Sequence, residues 1–191
     1  MPTLITHPAV ALGASPCLRA ARRRGTIVLT GMLLTMLPDL DVVAFRFGIP
    51  YGHMLGHRGF SHSILFAVIV SALTALLFRQ PRAGRWLLVW GYLFLCAVSH
   101  GLLDAMTNGG LGVGLLIPFS ARRFFFGIRP IDVSPLSLER FLGGRGLAIL
   151  QNELVVVWLP AAVVFVAAYW MTRTVSKPMT PQRPKRSRKR A

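Results

Sequence analysis

Ser99-His100-Gly101-Leu102-Leu103-Asp104 closes an apolar run from Trp86 to Met106, and whether that run is a soluble core helix or a membrane span decides the fold. A helix needs about 20 predominantly apolar residues to cross the hydrocarbon core of a bilayer, and this run is long enough. Phe60 to Phe78 and Leu154 to Met171 are of similar length. Two shorter runs precede them, His7 to Leu18 and Thr26 to Leu37, which read as short or tilted helices packed inside a bundle. Trp86, Trp90, Tyr169 and Trp170 fall near segment ends, where an interfacial aromatic belt belongs. The expected fold is all-α: a polytopic integral membrane helical bundle with about four or five membrane segments.

Composition points the same way. Of 191 residues, 53% are hydrophobic and only 15% charged, yet 22 Lys+Arg face 6 Asp+Glu for a net charge of +16. Such apolarity excludes a disordered chain and argues against a water-soluble enzyme. Cys17 and Cys96 sit in apolar surroundings and read as small buried hydrophobes; two thiols make neither a zinc finger nor a disulfide framework. No Lys or Arg precedes the first apolar run, so no signal peptide is expected and the mature chain should begin near Met1.

Basic blocks suggest an orientation. Arg19, Arg22, Arg23 and Arg24 separate the first two segments, Arg79, Arg82 and Arg85 the third and fourth, and the tail from Arg173 is basic throughout. The positive-inside rule puts these blocks in the cytoplasm, so the N-terminus lies outside and the C-terminus inside. The loop 107–153 would then lie outside despite its arginines. Residues 1–172 are read as one membrane domain that includes this loop, and 173–191 as a disordered cytoplasmic tail. That tail suits an anchor to anionic lipid. It has no aromatic residue among its charges, so no direct nucleic-acid partner is expected.

The few polar groups are placed tellingly. His7 opens the first segment, Asp39 and Asp41 close the second, His57 and His62 precede the third, and His100 and Asp104 end the fourth. At 1.5 Å per residue, His7 lies about 18–22 Å above its nearest arginine block, Asp39 about 22 Å, His62 about 25 Å, and His100 and Asp104 about 22–28 Å. All converge on one layer near the extracytoplasmic face. Ionisable groups at such depth need partners and mark functional sites.

His100 and Asp104 are four apart and share a helical face, a spacing that suits two ligands of one metal. Imidazole and carboxylate without thiolate suit zinc first, with manganese or iron(II) as alternatives. The set His7, Asp39, Asp41, His57, His62, His100 and Asp104 exceeds one tetrahedral ion, so one ion or two bridged by an aspartate are both open. Arg58 would hold a phosphate or carboxylate oxygen. Plainer readings stay open beside this one: interhelical hydrogen bonds, capping by Asp39 and Asp41, or a register-fixing pair of His100 and Asp104. His53 has no such support. Asp132, Glu139 and Glu153 are expected to pair with the arginines of the long loop.

In this order the motifs resemble the YdjM-like family of bacterial inner-membrane proteins, described as LexA-binding, metal-dependent hydrolases. The resemblance rests on Thr6-His7-Pro8, Leu37-Pro38-Asp39-Leu40-Asp41, Gly56-His57-Arg58-Gly59-Phe60-Ser61-His62-Ser63 and Ser99 to Asp104. It continues through Ile117-Pro118-Phe119 and Arg129-Pro130-Ile131. It implies a multi-pass protein of the bacterial inner membrane whose metal site falls on the seven residues above. A looser likeness in ligand order to zinc-dependent phospholipase C and single-strand nucleases points to phosphoester hydrolysis of a lipid or lipid-linked substrate by metal-activated water. In that scheme Asp39 or Asp41 bridges metals or acts as general base, and Arg58 binds the substrate anion. The alternative is a non-enzymatic scaffold whose basic loops and tail dock a cytoplasmic, LexA-like partner.

Overall fold

A computed structural model describes residues 1–135 and 138–175. Of the basic tail, only its first residues are among these, where they end the last helix; positions 176–191 lie outside the described residues. Helix α1 (Pro8–Ala14) has proline at its start, where a missing N–H costs nothing, and runs into a 3-10 turn at Ser15–Leu18. Helix α2 (Arg24–Met36) continues as an unusually long 3-10 stretch, Leu37–Phe47, stopped by Gly48 at φ 73°. Asp39 and Asp41 therefore sit on a continuation of the helix rather than in a loop. After a 3-10 turn at Phe60–His62 come α3 (Ile64–Ala75) and α4 (Ala83–Ala105). A long excursion leads to α5 (Leu138–Arg140), a kinked turn, α6 (Gly146–Glu153) and α7 (Leu159–Val175).

The described residues form helices and turns without a strand; the excursion is tied only by isolated bridges, Thr107 to Ile131 and Val113 to Phe124. Arg24–Phe47, Ala83–Ala105 and Phe141–Thr174 are long and apolar enough to cross a membrane, and Pro8–Leu18 and Ile64–Ala75 are shorter apolar helices. The expected count of four or five segments fits, but their lengths are redistributed. The run from Phe60 to Phe78 is helical only over Ile64–Ala75, because Ser63 caps the helix by accepting the Phe66 N–H at 3.1 Å. The second segment is longer than its apolar run, because the 3-10 stretch extends it beyond Leu37.

Helix α4 is the hub, packed against α2 and α3, while α1 lies between α2 and α7. Small residues bring the helices close: a Cβ on Gly13 would meet the Ala161 carbonyl at 2.9 Å. Ile27, Leu34, Val89, Leu93 and Cys96 fill the core. Cys17, against expectation, is exposed, because it lies on the outer side of the turn that ends α1. Leu33, Leu73, Val163 and Val166 are exposed as well, which suits a surface bathed in lipid.

Candidate metal centre

Five side chains from four parts of the chain meet inside the bundle. His7 stands at the start of α1, Asp39 on the 3-10 continuation of α2, His62 at the turn before α3, and His100 with Asp104 on the inner face of α4; all are buried. Donor atoms of Asp39, His62, His100 and Asp104 all lie within 4.8 Å of one another. His62 Nε2 and His100 Nε2 are 3.0 Å apart. Asp39 Oδ1 is 3.4 Å from His100 Nε2, and Asp104 Oδ2 is 3.4 Å from His62 Nε2. The longer edges, His62 to Asp39 and His100 to Asp104, are both 3.9 Å. Donors at about 2.0–2.1 Å from a tetrahedral ion stand about 3.3 Å apart, so this cage has the size of a cation's first shell. His7 stacks on His100 at 3.8 Å and brings its Nε2 to 3.9 Å from Asp39 Oδ2.

The outer contacts of the rings decide which atoms face inward. His100 Nδ1 lies 2.7 Å from the Thr35 carbonyl oxygen, which can only accept, so Nδ1 carries the proton. Pro38 frees that carbonyl, because it lacks the N–H that a 3-10 turn would aim at it. His62 Nδ1 lies 2.9 Å from Ser61 Oγ, which gives its own proton to Asp41 Oδ2 and so accepts, and 3.1 Å from Asp41 Oδ2; this nitrogen too carries the proton. In the neutral rings both Nε2 lone pairs then point at each other across 3.0 Å, which is repulsive unless a metal cation or a shared proton stands between them. Both oxygens of Asp39, both of Asp104 and both nitrogens of His7 are buried without a hydrogen-bond partner. Buried polar groups are seldom left so, and a cation would satisfy them together. The donor set fits a divalent metal ion.

Asp41 and His57 stand one step further out. Asp41 Oδ1 is 2.6 Å from His57 Nδ1, and its Oδ2 accepts from Ser61 Oγ at 2.6 Å and the Arg58 N–H at 3.2 Å. With His62 they form a second, smaller group, Asp41, His57 and His62, that could likewise hold a metal ion and that has His62 in common with the first. No aspartate reaches both groups; the shared side chain is a histidine. Arg58 is buried, with φ 60°, and its guanidinium faces inward protein partners: Nε lies 3.1 Å from Asp104 Oδ2, while the terminal nitrogens donate to Gly109 O and Thr107 Oγ1. The His53 ring accepts from the Leu55 N–H within its own turn and is not part of either group.

Several supporting residues have a role that the sequence did not assign them. Gly101 lets α4 approach the turn before α3, for a Cβ there would stand 2.7 Å from the His62 carbonyl oxygen. Arg123 donates to the carbonyls of Tyr51, His53 and His57 at 3.0–3.1 Å and staples the excursion over the histidine turn. Burial lowers its pKa from the ordinary arginine value, and burial likewise raises that of Tyr51 beside it. Glu153 departs from expectation: it pairs with no loop arginine but accepts from Thr3 N, Thr3 Oγ1 and Thr6 Oγ1, pinning the segment that carries His7. Asp132 likewise accepts from Asn108 Nδ2 at 2.7 Å. One backbone N–H and two threonine hydroxyls 147–150 residues away in sequence leave no local pattern, so this partner is not readable from the sequence.

An enclosed histidine–aspartate cage within a multi-helix apolar bundle defines a polytopic membrane protein with a candidate metal centre. The chain belongs to the YdjM inner membrane protein family, whose profile matches residues 1–179. It is 39% identical over 173 residues to the inner membrane protein YbcI of Escherichia coli strain K12, covering 91% of this chain and 100% of that protein. No solved structure matches it significantly.

Proposed function

We propose that the protein is a metal-dependent hydrolase of the bacterial inner membrane, cleaving an ester or phosphoester of a lipid or lipid-linked substrate. The observation that carries the proposal is the pair of imidazole nitrogens opposed at 3.0 Å amid buried carboxylate oxygens that accept no hydrogen bond. His7, Asp39, His62, His100 and Asp104 would hold the ion, zinc by donor chemistry, with manganese or iron(II) as alternatives. Such an ion supplies Lewis acidity and makes water nucleophilic near neutral pH. Asp41 holds His62 in the ligating tautomer, and Arg58 offsets the charge of Asp104. Asp41 is already occupied by His57, Ser61 and the Arg58 N–H, whereas Asp39 accepts no hydrogen bond and borders a cavity, so an Asp39 oxygen not engaged by the ion is the one placed to accept a proton. On the positive-inside orientation the centre lies near the extracytoplasmic face.

Elemental mass spectrometry on purified protein is the first test, comparing wild type with His62→Ala and Asp104→Ala. The expected result is about one or two metal equivalents in wild type and less in both variants. Hydrolysis of candidate lipids should follow that metal content. A chain that takes up no metal even on addition would overturn the proposal and leave a structural cluster, in which case docking of a cytoplasmic partner becomes the reading to test.

A further inference from the structure

A second polar feature lies at the end of the bundle away from the cage. Helix α2 separates the two, rising about 22 Å from Arg24 to Asp39. At this end the turn before α2 and the turn between α3 and α4 meet around a cavity of about 260 Å³, bordered by Arg22, Arg23, Arg79 and Gln80 together with Leu76 and Leu77. A reciprocal pair joins the turns: the Arg22 N–H donates to Gln80 Oε1 at 3.0 Å, and Gln80 Nε2 donates to the Arg22 carbonyl oxygen at 3.2 Å. The guanidinium groups are not occupied in this way. Among the described residues, none of the three has a hydrogen-bond or ion-pair partner. No acidic residue precedes Asp39 or falls between Asp41 and Asp104, so neither turn carries a carboxylate of its own, and none borders the cavity.

We infer that this cavity binds the headgroup of an anionic phospholipid, with the phosphate among Arg22, Arg23 and Arg79 and the acyl chains in the bilayer beside Leu76 and Leu77. Depth argues for a lipid over a soluble anion. Arg22 and Arg23 immediately precede the candidate span Arg24–Phe47, and Arg79 and Gln80 stand shortly before the span Ala83–Ala105. The cavity therefore sits where helices leave the hydrocarbon and headgroups lie. Leu76 and Leu77 in its wall are 65% and 73% exposed, which at this depth sets them against acyl chains. Charge selects the kind of headgroup. A guanidinium fork matches phosphate oxygens two at a time, and clustered arginines repel the ammonium of a zwitterionic lipid. Basic pockets between membrane helices on the cytoplasmic side recognise anionic headgroups by this chemistry, and the positive-inside orientation puts both turns on that side. The Arg22–Gln80 pair pre-organises the site, because the two turns are joined before a ligand arrives. The inference does not rest on the metal centre.

Native mass spectrometry of the full chain in detergent tests it, with phosphatidylglycerol, phosphatidylcholine and glycerol phosphate as probes. Phosphatidylglycerol should bind at least about tenfold tighter than phosphatidylcholine, which has the same phosphate and chains but a cationic end. Glycerol phosphate lacks the chains and should also bind at least about tenfold more weakly. Arg22→Ala and Arg79→Ala should each weaken phosphatidylglycerol about tenfold, the worth of a hydrogen bond to a charged group. Arg79→Lys keeps the charge without the fork and should lose less. Arg173→Ala removes the same charge at the end of α7, outside the cavity, and should leave the affinity nearly unchanged. Equal binding of the two lipids would overturn the inference, since the cavity would then not select by charge. A loss in Arg173→Ala matching that in Arg79→Ala would overturn it as well, because the attraction would belong to the basic chain as a whole. Glycerol phosphate bound as tightly as the lipid would overturn it in favour of a soluble anion.

Discussion

Replacing Asp41 by asparagine separates an inner ligand from a residue that steers one. The carboxylate accepts from His57 Nδ1 at 2.6 Å on one oxygen, and from Ser61 Oγ, His62 Nδ1 and the Arg58 N–H at 2.6, 3.1 and 3.2 Å on the other. An asparagine has one acceptor oxygen to offer. Turning its NH2 toward His62 and Arg58 would oppose donors to donors, so the amide should keep its oxygen there and present NH2 to His57, whose ring can switch tautomer. His62 then stays correctly oriented but loses a charge-assisted hydrogen bond, roughly half of which survives as a neutral one. Losing such a ligand-orienting partner costs about 10- to 100-fold in metal affinity, or about 1.4–2.8 kcal/mol. His100→Ala, which removes a donor from the cage, should cost more than about 100-fold, and His57→Ala less than about tenfold. Competition against a chelator of known affinity reads all three. If Asp41→Asn or His57→Ala weakens binding as much as His100→Ala, both are direct ligands and the two-tier arrangement is refuted.

Three further expectations follow from the packing. Glu153→Ala strands the Thr3 and Thr6 donors in a buried site, so it should cost about 2–4 kcal/mol and loosen metal binding through His7; an unchanged melting temperature would refute the pin. Gly101→Ala places a Cβ 2.7 Å from a backbone oxygen of the histidine turn. It should cost about 1–3 kcal/mol and displace His62, seen as a lower melting temperature together with weaker metal uptake. Stripping the metal with a chelator should lower thermal stability, and restoring it to about 100 times its dissociation constant should regain about 2.7 kcal/mol. Identical melting curves with and without metal would mean the cage binds none.

The layer of polar groups was legible because helix rise is fixed: counting residues up from the arginine blocks put His7, Asp39, His62, His100 and Asp104 at one depth, and they meet there. What residue counting does not resolve is direction. Nothing in the order of Asp39 and Asp41 tells which faces the cage, because the backbone between them turns every three residues instead of every 3.6. Nor does a histidine's identity say which nitrogen faces what, so the sequence does not show that Asp41 lies between His57 and His62. Hydropathy alone likewise overextended the run from Phe60, since the capping hydroxyl of Ser63 starts the helix after a separate 3-10 turn at Phe60–His62. Glu153 was assigned by charge, and the buried Thr3 N–H with the Thr3 and Thr6 hydroxyls claimed it first.

The hold on His100 has a genetic corollary. Its outer partner is the main-chain oxygen of residue 35, and every amino acid supplies that oxygen, so no codon at position 35 can delete it. What is inherited is the freedom of that oxygen, and this is written three residues later, at Pro38. A saturation scan should therefore register the contact at position 38, where any other residue restores a competing N–H, and not at the position that makes it. The proline in Leu37-Pro38-Asp39 thus encodes a contact that its own atoms never touch.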